Sequence, residues 1–203
     1  MKTLIDLFEK KVDEYPNNPL LWEKQNGKYI SSSYSEIRQK VHQFAAGLMN
    51  MGVKKGDRIA LLSEGRNDWI IGELGILYTG AINVPLSVKL DATTELKFRL
   101  SHSGSKMIIV SNNQAWKIDA IKNDLPELEK IIYLDPRDQY GNNELPKEEI
   151  YSLGENYLKT NKEDFKNTHQ SIQPEDYANI CYTSGTTADP KGIILSHRNY
   201  TAN

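Results

Sequence analysis

The residues best suited to chemistry lie in one stretch, Tyr182-Thr-Ser-Gly-Thr-Thr-Ala-Asp-Pro-Lys-Gly192. The hydroxyls of Thr183, Ser184, Thr186 and Thr187, the glycines Gly185 and Gly192, and Pro190 and Lys191 fall between two apolar runs, Tyr177-Ala-Asn-Ile-Cys-Tyr182 and Ile193-Ile-Leu195. Hydroxyls and backbone N–H groups both donate hydrogen bonds, so a turn rich in them makes a concavity for anionic oxygens. Glycine lets the backbone take a positive φ or approach a ligand closely. Lys191 adds a point charge, and one charge-assisted hydrogen bond contributes roughly 1.5–3 kcal/mol. Pro190 fixes φ just before that lysine and pushes Asp189 toward an extended backbone. The chemistry this points to is the gripping of phosphate oxygens by a loop partly ordered in advance. The same composition also fits a solvated hairpin turn.

Bulk properties exclude several function classes. A formal charge of −2 and a pI near 6.1 leave no basic footprint for nucleic acid. The single cysteine, Cys181, rules out an intramolecular disulfide and fits a reducing compartment, with cytoplasm as the default. Its strand-like setting makes it a buried apolar filler rather than a catalytic thiol. No run approaches the ~18 apolar residues of a membrane span. Lys2, Lys10 and Lys11 surround an amphipathic pattern without an apolar h-region, so the N-terminus is not a signal peptide. His42, His102, His169 and His197 show no metal-ligand spacing with each other or with Cys181. His197 is expected to be structural, capping the next helix or packing under the loop. Lys10-Lys11, Glu127 with Glu129 and Glu148-Glu149 read as solvated helix faces. Hydrophobic content of 38% and a mean hydropathy of −0.59 are low for a self-sufficient domain and suit part of a larger body.

The elements that would position the loop alternate. A helix with an apolar stripe from Leu4 ends at Pro16, and Asn26-Gly27 marks a hairpin. Ser33-x-x-Glu36 opens a long helix that Gly52 stops. Strands are expected at 58–63, 81–84, 106–110 and 130–134, with helices at 67–78, 93–102 (closed by Gly104) and 115–123. Trp69 and Tyr78 belong to the core, and Arg66 and Asp68 form a structural pair. Residues 135–147 read as an exposed excursion, 148–158 as a helix, and the rest up to Pro174 as a polar linker. Ser196 starts a further helix. Strand–helix alternation implies an α/β fold, a mainly parallel sheet with flanking helices.

The order of residues from Thr183 to Gly192 resembles the Ser/Thr/Gly-rich signature of the adenylate-forming (AMP-binding) enzymes, written T-S-G-T-T-G-x-P-K-G. Ala188 departs from it, standing where the family has glycine. If that position needs a positive φ, alanine there costs of order 1 kcal/mol. Further family landmarks follow in their usual order: Gly56-Asp-Arg-Ile-Ala-Leu-Leu-Ser63, Arg66-Asn-Asp-Trp69, Gly80-Ala-Ile-Asn-Val-Pro-Leu86 and Ser103-Gly-Ser-Lys-Met-Ile-Ile-Val110. Tyr34-Ser-Glu-Ile and the segment from Pro85 to Ala92 are most similar to the long-chain fatty-acid–CoA ligases.

That resemblance implies an AMP-forming acid–thiol ligase acting on ATP with Mg2+, a fatty acid and coenzyme A. It implies Thr183, Ser184, Gly185, Thr186, Thr187, Lys191 and Gly192 as phosphate-binding residues, and no catalytic residue or metal ligand within this chain. It makes residues 1–203 the N-terminal portion of the AMP-binding domain: a hairpin and helices at 1–52, βαβ units at 53–135, excursion and linker at 136–174 and the phosphate-loop segment at 175–203. The family's later motifs do not occur here, so the chain reads as an N-terminal piece, inactive alone. Peripheral membrane contact and self-association stay open. A phosphate-binding module without ligase activity, and adenylation of a different carboxylic acid, are the competing readings.

Overall fold

Short apolar runs with no polar alternation, such as Ile59-Ala-Leu-Leu62 and Met107-Ile-Ile-Val110, belong to strands covered on both faces. The computed structural model, which describes residues 2–183 and 189–202, places them at the centre of a seven-stranded sheet. In chain order the elements are α1 (Leu4–Glu14), β1 (Pro19–Gln25), β2 (Lys28–Ser33), α2 (Tyr34–Asn50), β3 (Arg58–Leu62), α3 (Asn67–Tyr78) and β4 (Ile82–Leu86). A π-helical turn (Ala92–Leu96) runs into α4 (Lys97–Ser103), followed by β5 (Met107–Val110), α5 (Asn112–Ile121), β6 (Lys130–Tyr133) and β7 (Glu144–Pro146). Then come α6 (Lys147–Thr160), α7 (Lys162–Gln170), β8 (Tyr177–Thr183), β9 (Lys191–Ser196) and α8 (His197–Thr201). The sheet order is β7-β6-β5-β3-β4-β8-β9, parallel throughout except for the β8–β9 pair, and β1–β2 form a separate antiparallel ribbon.

Alternation along the central strands sorts the core into two layers. Ile59, Leu61, Met107, Ile109 and Ile132 face α1, α2, α3, α6 and α7. Ala60, Leu62, Val84, Ile108, Val110 and Ile131 face the π turn, α4 and α5. Local signals fix the boundaries. Asn26 and Gly27 both take positive φ (49° and 82°), as a two-residue hairpin turn of this hand requires. Ser33 Oγ accepts from Glu36 N while Glu36 Oε2 accepts from Ser33 N, closing the capping box. Gly104 ends α4 in the left-handed region.

Two expectations are corrected. The excursion at 135–147 contains an edge strand, β7, which pairs with β6. Its Glu144 bonds to Lys122, an anchor that no periodicity announces. The polar linker before Pro174 is largely the helix α7, whose mostly polar sequence buries only Phe165.

Helices α2 and α6 cross at two glycines. A Cβ on Gly154 would stand 1.7 Å from the Gln43 carbonyl oxygen, and one on Gly47 2.2 Å from that of Ile150. Helix α1 is held by Glu9, which accepts from Tyr78 Oη at 2.5 Å and pairs with His42 Nε2 at 2.8 Å and Arg38 at 3.4 Å. Burial alone would raise the Glu9 carboxyl, but the His42 and Tyr78 hydrogen bonds and the charges of His42 and Arg38 outweigh it and hold the pKa at about 2.

Gly154→Ala must push the two helices apart, and is expected to cost about 1–3 kcal/mol or more in denaturant unfolding. Gly65→Ala, which meets open space, should be near neutral. Because the folded pKa of Glu9 lies below its ordinary 4.5, its contribution is complete above pH 4.5 and disappears as pH falls toward about 2. The stability gap between the natural chain and Glu9→Gln should therefore narrow over that interval when unfolding is followed at a series of pH values.

Candidate phosphate-binding site

Strand β8 runs parallel to β4, so its end at Thr183 lies at the carboxyl edge of the sheet, where ligands of open α/β folds bind. From there β9 returns antiparallel with Tyr182 opposite Gly192 and Thr183 opposite Lys191. Directly opposed residues share a face, so the Thr183 hydroxyl and the Lys191 ammonium stem leave the ladder on the same side. Both are exposed. The structure thus joins three of the expected phosphate-binding residues, Thr183, Lys191 and Gly192, at one rim. Ser184, Gly185, Thr186 and Thr187, like Ala188, lie outside the described residues.

Gly192 needs room rather than a positive φ. A Cβ there would lie 3.0 Å from Ile180 Cγ2 and 3.5 Å from the Tyr182 ring. The Tyr182 ring crosses the glycine and is tied to α4. Its hydroxyl is 2.8 Å from His102 Nδ1 and donates to the Arg99 carbonyl oxygen at 3.3 Å. Both contacts are satisfied when Nδ1 carries the proton. The Arg99 guanidinium, 5.7 Å from the Tyr182 ring centre, is nearly buried and donates to the Glu95 carbonyl oxygen. A cavity of about 280 Å³ beside it is lined by Ser87, Glu95, Arg99 and Tyr182. Sequence reasoning missed Arg99 and the His102–Tyr182 contact. The only signal for Arg99 was a cation between the apolar Leu96 and Leu100, and nothing linked His102 to a residue eighty positions away.

The crevice between the carboxyl ends of β3 and β5, where the following helices leave on opposite faces, is the topological switch point. Here it is filled by the protein's own groups. Arg66 donates to both oxygens of Asp135 (2.8 and 3.0 Å) and to Asp68 (2.8 Å), and Lys147 reaches Asp68 at 2.7 Å. Burial would raise Asp135, but the Asn112 N–H and the Arg66 guanidinium hold it below the usual carboxylate range. The expected Arg66–Asp68 pair is present, within a larger brace across three strand ends. Glu64 accepts from Ser111 Oγ and Gln114 Nε2 in the same crevice.

His197 takes a structural place, as expected, though it does not itself cap a helix; the loop it was expected to pack under lies outside the described residues. The imidazole is buried, Ser196 makes the cap, and its Nδ1 accepts from Leu4 N at 3.3 Å, joining α8 to α1. Burial pushes its pKa below the ordinary value. Cys181 is half-buried rather than fully enclosed, because β9 beside it is an edge strand, and burial still pushes its thiol up. Among the described residues no group of three His, Cys, Asp or Glu side chains could hold a metal ion, and no helix is long and apolar enough to cross a membrane.

The model of the AMP-binding enzyme family matches residues 8–203. The chain belongs to that family. It is 31% identical to long-chain-fatty-acid–CoA ligase 5 of Rattus norvegicus, over all of this chain and 30% of that protein. It is 28% identical to the chloroplastic long-chain-fatty-acid–[acyl-carrier-protein] ligase AEE15 of Arabidopsis thaliana, over 98% of this chain and 28% of that one. Among solved structures, coronafacic acid ligase from Pectobacterium brasiliense superposes with a TM-score of 0.81 at 25% identity, covering 97% of this chain and 35% of its own. The chain therefore spans about 30% of the length of the curated relatives it matches.

His102→Ala should release Tyr182 and loosen the base of the loop. A lost net hydrogen bond of about 1 kcal/mol corresponds to roughly fivefold faster amide exchange in the β8–β9 ladder. Unchanged exchange would show that His102 does not hold the hairpin.

Proposed function

We propose that the protein carrying this chain activates a fatty acid with ATP to an acyl-adenylate and passes the acyl group to the thiol of coenzyme A. Residues 1–203 are read as the N-terminal portion of the AMP-binding domain, with 175–203 supplying the phosphate grip. The observation that carries this is the pairing of Thr183 with Lys191 at the carboxyl edge of the sheet, with the hydroxyl- and glycine-rich residues 184–188 between them. In the first step a carboxylate attacks the α-phosphate, and negative charge gathers on the departing pyrophosphate. A fixed set of donors and one ammonium near that charge lowers the barrier as an oxyanion hole does. Magnesium would accompany the triphosphate and offset its charge.

The acyl acceptor has a specific rival. The similarity to a protein named as an acyl-carrier-protein ligase is close to that for the CoA ligase, so a carrier-protein thiol is the second reading. The acid has one too, since coronafacic acid ligase shares the fold.

Removing one such donor typically costs ~10²–10³ in rate. Lys191→Ala in the protein carrying this chain is accordingly expected to slow acid-dependent ATP–pyrophosphate exchange by a factor in that range. An unchanged exchange rate would remove Lys191 from the assigned role.

A further inference from the structure

A cavity of about 500 Å³ opens between α2, α6 and α7, and none of its lining residues belongs to the β8–β9 hairpin. Its floor is aromatic. Phe165 is buried, and the rings of His42 and His169 each lie 5.2 Å from it and stack on one another at 6.2 Å. Leu158 adds an apolar wall. One nitrogen of each imidazole is engaged inward, His42 Nε2 with Glu9 and His169 Nδ1 with the Phe165 carbonyl oxygen. Lys159, Lys162 and Lys166 stand at the mouth. Lys159 pairs with Glu155 at 2.9 Å. Lys162 and Lys166, one turn apart and exposed, make no ion pair among the described residues. An apolar, ring-lined floor under two unneutralised ammonium groups matches a ligand that is itself divided into apolar body and anionic head.

We infer that this cleft binds an amphiphilic anion, with a phosphate or carboxylate head on Lys162 and Lys166 and an acyl or flat body against Phe165 and Leu158. Two features separate it from an ordinary solvated helix face. The lysines line a cleft with an aromatic floor, and Glu155, the one carboxylate among its described lining residues, pairs with Lys159. The head supplies charge-assisted hydrogen bonds and the body supplies buried apolar area, so neither part alone should bind well.

The probe is dodecyl phosphate, kept below its micelle concentration and titrated calorimetrically into the chain. One saturable site is expected. Inorganic phosphate and dodecanol should each bind at least about tenfold more weakly, and Lys162→Glu with Lys166→Glu should weaken dodecyl phosphate by about tenfold or more. Both positions are exposed, so an unchanged melting curve will confirm that the double variant is folded. Affinity untouched by the double variant, or equal binding of dodecanol, would overturn the site. Capture by vesicles containing phosphatidic acid but not by phosphatidylcholine alone would identify a lipid headgroup as the source. Dodecyl phosphate binding without vesicle capture would identify a soluble amphiphile.

Discussion

One carboxylate decides where the β8–β9 hairpin sits. Strand β8 joins the parallel sheet through a single register pair, Asn83 with Asn179. Pro85, two residues further along β4, has no N–H with which to extend a ladder. Both carboxamides are buried, and both donate to the same oxygen of Glu73, at 3.1 and 3.0 Å. Glu73 belongs to α3, so the clamp ties helix, strand and hairpin together. Hydrogen bonds to a charged group contribute about 1.5–3 kcal/mol, and an orphaned buried amide costs a similar amount. The position of the β8–β9 rim relative to the rest of the sheet is therefore inherited from Glu73.

The opposite face of β8 is fixed by different means. Tyr182 lies across Gly192 and is held by His102 and the Arg99 carbonyl, so the last pairs of the ladder are braced from both sides. Further along the same carboxyl edge, from its centre toward β7, the Arg66–Asp135–Asp68–Lys147 brace occupies the switch-point crevice. A crevice whose charges are already matched offers little to a ligand. The chemically open part of the carboxyl edge is accordingly the β4–β8 side, where Thr183 and Lys191 emerge.

Much of this was legible in the sequence because it is local. The Asn26-Gly27 turn, the Ser33–Glu36 capping box, the helix from Asn67 to Tyr78 and the apolar central strands follow from propensity and pattern, and the structure places them as expected. What escaped notice depends on tertiary partners. Strand β7 is three residues long and owes its place to pairing with β6, and α7 buries one phenylalanine in an otherwise polar sequence. The Glu73 clamp joins residues up to 106 positions apart, and Gly154 resembles any helix glycine until the Gln43 carbonyl is found against it. The site was legible in part for the same reason. Order within ten residues marks the loop, whereas the contacts that aim it come from α3 and α4.

The β8–β9 rim is the proposed dock for a nucleotide's phosphates. Amide chemical shifts of the isotope-labelled chain, followed during titration with ATP in magnesium buffer, test this directly. The prediction is a saturable response concentrated at Thr183, Lys191 and Gly192, with the β1–β2 ribbon unmoved. A saturable response located elsewhere, with those three amides silent, would contradict it.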